Sequence, residues 1–312
     1  MKKINKPVWA LPFNSKLTKS GLSRKSYEKY IPYMFLLAVS ISIITTVGIV
    51  LTLAGDAFQF FRQVSLKEIL STELAPLRSS PAFGFLPLIN GTLITSAIAM
   101  MVAAPTGLMA AMYLSEFASD RTRKLLKPVI EVLAGIPTIV YGFFAYSFVT
   151  PILTKLIPSL GAKNALSPGI VMGIMIIPMV TSLSEDAMSS VPDALREGAL
   201  ALGSTRLETT LNVVFPAALS GIIASLVLGV SRAVGETMIV AIASGSSKNF
   251  TFDITQSMQT MTGYIVEFTS GDAGSGTVGY YSLYAVGLIL FAFTLLLNVA
   301  AQKISKRFKE EY

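Results

Sequence analysis

The feature that most narrows what this chain can fold into is its series of long apolar stretches with charge confined between them. About Ile31–Ala54, Gly91–Leu114, Val129–Leu153, Pro168–Leu183, Ala217–Ala243 and Tyr280–Ala301 are apolar runs, and a helix needs about 20 such residues to cross a bilayer. Charged residues make up 14% of the chain, against about 25% in soluble domains. Lipid offers the backbone no hydrogen-bond partner, so spans must be helices or a closed barrel. The runs are continuous rather than alternating, which selects helices. The expected fold class is all-α: a polytopic membrane protein with six transmembrane helices.

The charges order these spans. Residues 1–30 carry eight Lys and Arg against Glu28 alone and read as a basic cytoplasmic leader. A signal peptide is the rival reading, but the run at 31–54 exceeds its apolar core of roughly 7–15 residues. Residue 31 therefore opens an uncleaved first span. Residues 55–89, with Pro76, Pro81 and Pro87, read as an external loop, and so do residues 244–279, rich in Gly and Ser. Arg121, Arg123, Lys124 and Lys127 mark an inside loop, and Lys303, Lys306, Arg307 and Lys309 mark a cytoplasmic tail at 302–312. Residues 90–301 then hold five spans and a polar loop at 185–216. Pro105, Pro137 and Pro178 are each expected to break a span. Glu116, Glu185 and Asp186, near inner span ends, and Glu131, near the start of the third span, are expected to make structural contacts.

There is no Cys and no His, which excludes thiol chemistry, disulfides and the common zinc ligand sets. No cofactor or metal site is expected. The net charge of +7 sits beside the ends of apolar runs, where it suits a membrane surface rather than nucleic acid. No G-x(4)-G-K-[ST] phosphate-cradling loop occurs, so the chain cannot itself supply ATP chemistry, and no nucleophile constellation suggests an enzyme.

The most telling stretch is 193–236. "DALREGALAL" is helix-forming, Gly203 can end that helix in a left-handed conformation, and "STRLETTLNVVF" resumes it with Ser204 as N-cap. Two short helices would make a knob below the membrane; an amphipathic connector lying on the interface is the alternative. The apolar segment that follows carries Arg232 and Glu236. A central Arg costs roughly 2.5–3.5 kcal/mol even on insertion scales, so it should face a partner or a polar path. Their i, i+4 spacing would put both on one helical face. Either they pair with each other, or Arg232 contacts an anionic solute through its planar donors. In the second case Glu236 either orients Arg232 or accepts the hydrogen that protonated phosphate carries and sulfate lacks.

Glu197, Ala199, Gly203, Val213 and Pro216 stand at the positions of the "EAA" signature, E-A-A-x(3)-G-x(9)-I-x-L-P. The stretch resembles the permease subunits of ATP-binding-cassette (ABC) importers, with Gly198 and Phe215 as departures. "AAMYLSEFA" (110–118), "VLAGIPTIVYGFF" (132–144), "MIIPMVTSLSEDAM" (175–188) and "SRAVGETM" (231–238) resemble the phosphate permeases of that family. Of their two subunit types, PstC and PstA, the long basic leader and overall length look more like PstC. The resemblance implies a type I importer permease fold of the MetI-like kind. It implies ATPase coupling through Glu197, Ala199, Gly203 and Pro216, and roles in transport for Arg232 and Glu236. It also implies a second phosphate permease subunit, an ATPase subunit dimer and an external phosphate-binding protein as partners, in a bacterial or archaeal cytoplasmic membrane with both termini inside. A near rival is the PstA-type partner subunit or a permease for another oxyanion; the rival of another class is an ion-coupled secondary carrier with Arg232 and Glu236 as a proton relay.

Overall fold

The computed structural model describes residues 30–272, 274 and 276–307; the expected leader and the end of the tail lie outside them. It divides into two units, Met1–Thr52 and Leu53–Tyr312. Helix α1 (Ile31–Gln63) supplies the described part of the first, and its side chains there are exposed almost throughout. They are mostly apolar, with scattered Ser and Thr and no charge among 31–54, a surface suited to lipid. The helix runs past the expected boundary at Ala54, so residues 55–63 are helical rather than loop.

In the second unit a small antiparallel ribbon, β1 (Leu74–Ala75) and β2 (Ala82–Phe83), pairs Leu74 with Phe83. Then come α2 (Leu86–Met112), α3 (Asp120–Ala134), α4 (Thr138–Phe144, extended through 145–156) and α5 (Leu166–Ser189). Helices α6 (Asp193–Ala201) and α7 (Arg206–Thr209, continuing to Ala217) follow. The remainder is α8 (Leu219–Val234), α9 (Met238–Ala243), α10 (Met261–Glu267) and α11 (Val278–Arg307). Five helices among the described residues are long and apolar enough to cross a membrane. A sixth span results if 206–217 and α8, bent by 73°, are counted as one.

Helices α2 and α5 form the centre. Small residues bring them together: a Cβ on Gly107 would stand 2.8 Å from Val180 Cγ1, and one on Gly173 would stand 2.7 Å from Val102 Cβ. Within lipid such close backbone approach substitutes for the missing hydrophobic drive. Around that pair Ala99, Ala103, Met172 and Ile176 pack against Tyr141 and Ala145 of the α4 rod and Ala233 and Ile239 of α8 and α9. A second core joins Phe60, Phe83, Phe85, Tyr264, Phe268 and Val286.

Two expectations about proline change. Pro105 and Pro178 lie inside uninterrupted helices; neighbouring helices hold such positions in shape. Only Pro137 stands at a break, where α3 ends at Ala134 and α4 begins at Thr138. The third span therefore starts at 138, not 129. Residues 129–134 belong to a separate amphipathic helix that leaves Leu125, Val129, Val132 and Leu133 exposed.

Candidate functional site

The knob forms where the sequence places it. Pro192 fixes the chain before α6, and Asp193 complements the helix N-terminus. Gly203 adopts φ +92°, a conformation that costs other L-residues about 1–2 kcal/mol. The N-cap of α7 is Thr205 rather than Ser204. Its hydroxyl accepts from Glu208 N at 3.3 Å, while Glu208 Oε2 accepts from Thr205 N at 2.8 Å, a reciprocal capping box. Those donors hold the Glu208 carboxyl below its usual range, the backbone bond from Thr205 contributing most. Glu197, Gly203 and Pro216 are exposed and Ala199 is half-buried. Leu202 is 90% exposed and Leu207 57%, so the tip presents apolar side chains that nothing among the described residues covers.

The knob is anchored by Arg196. Its guanidinium donates to Glu116 Oε1 at 3.1 Å, to Met188 O at 2.7 Å and to Val191 O at 2.5 Å, and it meets Asp193 Oδ1 at 3.0 Å. Beside it, Glu185 is completely buried and bonded by Arg123 and by Lys127 Nζ at 2.8 Å; Asp186 takes Lys127 at 3.1 Å. Glu185, ahead of Asp186, raises the Lys127 ammonium above its usual value. Glu116, Glu185 and Asp186 thus make the helix-end contacts expected of them. Arg196 was legible only as part of a good helix, because its carboxylate partner Glu116 lies 80 residues away.

Arg232 and Glu236 do not share a helix face. Helix α8 ends at Val234 and α9 starts at Met238, with Gly235 as C-cap between them. Glu236 is only 6% exposed. Its Oε1 accepts from the backbone of Met238 at 3.0 Å and Ile239 at 3.4 Å, so it caps α9. The Glu236 carbonyl accepts from Thr262 Oγ1 at 2.7 Å, which ties the break to α10. Arg232 forms no ion pair among the described residues; its one side-chain partner is Met175 Sδ at 4.0 Å. The guanidinium faces a cleft of about 470 Å³ lined by Met175, Pro178 and Met179 and by Ser182 of α5, and by Glu131 and Ala134 of α3. Glu131 is exposed on that wall and forms no ion pair within 4.0 Å among the described residues. Its signal was its position four residues before Gly135, on a helix that the break detaches from the span.

The chain has an exposed knob, a bundle centred on two closely packed helices and a charged cleft beside them, and the family match gives these features a class. Residues 103–310 match the family described as binding-protein-dependent transport system inner membrane component, and the chain belongs to that family: it is a permease subunit of an ABC importer, not an enzyme. This sets aside the ion-coupled carrier. The chain is 35% identical to the probable ABC transporter permease protein YqgH of Bacillus subtilis, covering 86% of this chain and 88% of that one. It is 33% identical to the phosphate transport system permease protein PstC of Xylella fastidiosa (strain 9a5c), covering 85% and 86%. With PstC 1 of Mycobacterium tuberculosis it shares 35% identity, over 72% and 73%. Among solved structures, a bacterial ABC transporter involved in alginate import matches with a TM-score of 0.63 at 16% identity, over 93% of this chain and 99% of that one. The MetNI methionine transporter matches at 0.52 and 15%, over 73% and 95%. At those identities the likeness is one of fold.

Proposed function

We propose that this chain is the PstC-type permease subunit of an ATP-driven phosphate importer. The observation that carries the reading is Arg232, a guanidinium without an ion-pair partner among the described residues, facing a cleft between membrane helices. A planar cation left open in apolar surroundings suits an oxyanion that must bind and leave. The relatives named as phosphate permeases support phosphate as that oxyanion.

In this reading a PstA-type permease subunit completes the path, and both chain termini lie in the cytoplasm. A phosphate-binding protein docks on the opposite side, over residues 55–89 and 244–279. Two ATPase subunits bind below, one on each permease knob, through Glu197, Ala199, Gly203 and Pro216. The apolar tip at Leu202 and Leu207 is what a groove on such a subunit would cover. Nucleotide acts only by differing contacts with the knob in two states, and α8 carries that difference toward Arg232.

The test is reconstitution of the complete importer in proteoliposomes. Phosphate with its binding protein should stimulate ATP hydrolysis and phosphate uptake. Arg232→Ala should abolish uptake while leaving the ATPase attached, and Glu197→Lys should detach the ATPase. Uptake surviving Arg232→Ala would defeat the reading of the cleft.

A further inference from the structure

The sequence suggests Glu236 as the acceptor for a phosphate hydrogen, but Glu236 is not among the residues lining the cleft that Arg232 faces. Its carboxylate is buried and already takes two backbone N–H groups at the start of α9. Another carboxylate faces the cleft that Arg232 faces. Glu131 stands on α3, across from α8, and the remaining lining is apolar apart from Ser182. Neither Glu131 nor Arg232 has an ion-pair partner within 4.0 Å among the described residues. The cleft therefore includes both a donor fork and a bare acceptor among its lining residues. Glu131 also borders the neighbouring depression lined by Arg123, Lys124 and Lys127, so it sits where the cleft meets the basic side of α3.

Those two groups treat tetrahedral anions differently. Both phosphate and sulfate can take the Arg232 fork. At neutral pH phosphate still carries a P–OH, which can donate to a carboxylate; sulfate carries none and would bring lone pairs and full charge against one. A hydrogen bond to a charged acceptor favours the ligand that can donate it by on the order of ten- to a hundredfold, and a like-charge contact rejects the wrong ligand. We infer that Glu131 is a specificity-determining residue of the path, accepting the P–OH hydrogen of an anion held by Arg232. The inference rests on the proposed phosphate reading and assigns the discrimination to a residue outside the Arg232–Glu236 pair.

The experiment titrates phosphate, sulfate and fluorophosphate by calorimetry onto the purified importer complex, without its binding protein. Fluorophosphate keeps the shape and charge of phosphate but lacks a P–OH at neutral pH. The wild-type complex should prefer phosphate over both others by on the order of ten- to a hundredfold. Glu131→Gln should shrink that preference about tenfold, chiefly by admitting sulfate, because an amide can donate as well as accept. Glu131→Asp, which keeps the acceptor, should retain most of it. An unchanged preference in Glu131→Gln overturns the inference and leaves the phosphate reading standing. Fluorophosphate binding as tightly as phosphate to the wild type overturns it too, whether or not the variant assembles. Failure of the wild-type complex to bind phosphate overturns the inference alone; failure of the complete importer, with its binding protein, to transport phosphate overturns both.

Discussion

Two polar stretches that look alike in the sequence have opposite fates in the structure. Residues 193–217 and 244–267 are each short on long apolar runs and contain Gly, Ser and Thr. The first is presented: α6 has no buried residue and Leu202 is almost wholly exposed. The second is packed: Met258, Met261 and Tyr264 are at most 2% exposed. Tyr264 shares a core with Phe85 and Phe268 and bonds Ser282 Oγ through its hydroxyl at 2.7 Å. Asn90 donates to Thr251 O at 2.5 Å, and Ser244 Oγ donates to Met258 O at 2.6 Å. The knob is stiffened by caps and one anchoring arginine; the other stretch is stiffened by burial. A surface meant for a partner must keep its apolar side chains free, and local capping makes that compatible with order.

The contrast can be broken by substitution. Tyr264→Ala should have the largest effect on stability, roughly 3–5 kcal/mol for emptying an aromatic site, read as a fall in the unfolding midpoint of the purified complex. A loss no greater than that of a surface change would mean the 244–267 segment is loop after all. Arg196→Ala should cost roughly 2–3 kcal/mol locally, since it strips a charged donor from Glu116 and from two carbonyls. It should also release the ATPase on purification, whereas Tyr264→Ala should not.

Gly203→Ala should cost about 1–2 kcal/mol. Nothing lies within 4 Å of the added Cβ, so the cost is backbone strain alone, and loosened protease protection confined to 193–217 would report it. The smallest effect concerns pH. The folded Glu208 carboxyl is held low by Thr205, so its capping contribution is complete above the ordinary glutamate range and is lost as pH falls through the folded value. Protease sensitivity of the knob should therefore rise in acid, and Glu208→Gln should flatten that dependence.

The membrane-spanning plan was legible because continuous apolar runs admit few alternatives. The ends of those runs were less so. At Val129 the apolar face of α3 merges with the next span in any hydropathy count, and only Gly135 and Pro137 betray the break. At 235 a lone glycine in an apolar segment is tolerated in many helices, so the i, i+4 reading of Arg232 and Glu236 was reasonable and failed on a local cap. In the knob, Gly203 was read correctly from its freedom at positive φ. The N-cap missed by one residue, because Ser204 and Thr205 are equally suited and only the partner at Glu208 chooses between them. The cleft of Arg232 and Glu131 could not be read at all, since it depends on how α3 folds back beside α5.

The interruption at 235–237 divides what would otherwise be one stiff rod. Below it α8 is a cylinder of 16 residues, about 24 Å long at 1.5 Å per residue. Swung by roughly 10° about its Arg232 end, a cylinder of that length moves its other end about 4 Å, and the joint at Gly235 would let it do so without levering the tightly packed far side. A swing of the knob end would therefore be absorbed at the joint, leaving the tightly packed elements beyond Gly235 undisturbed.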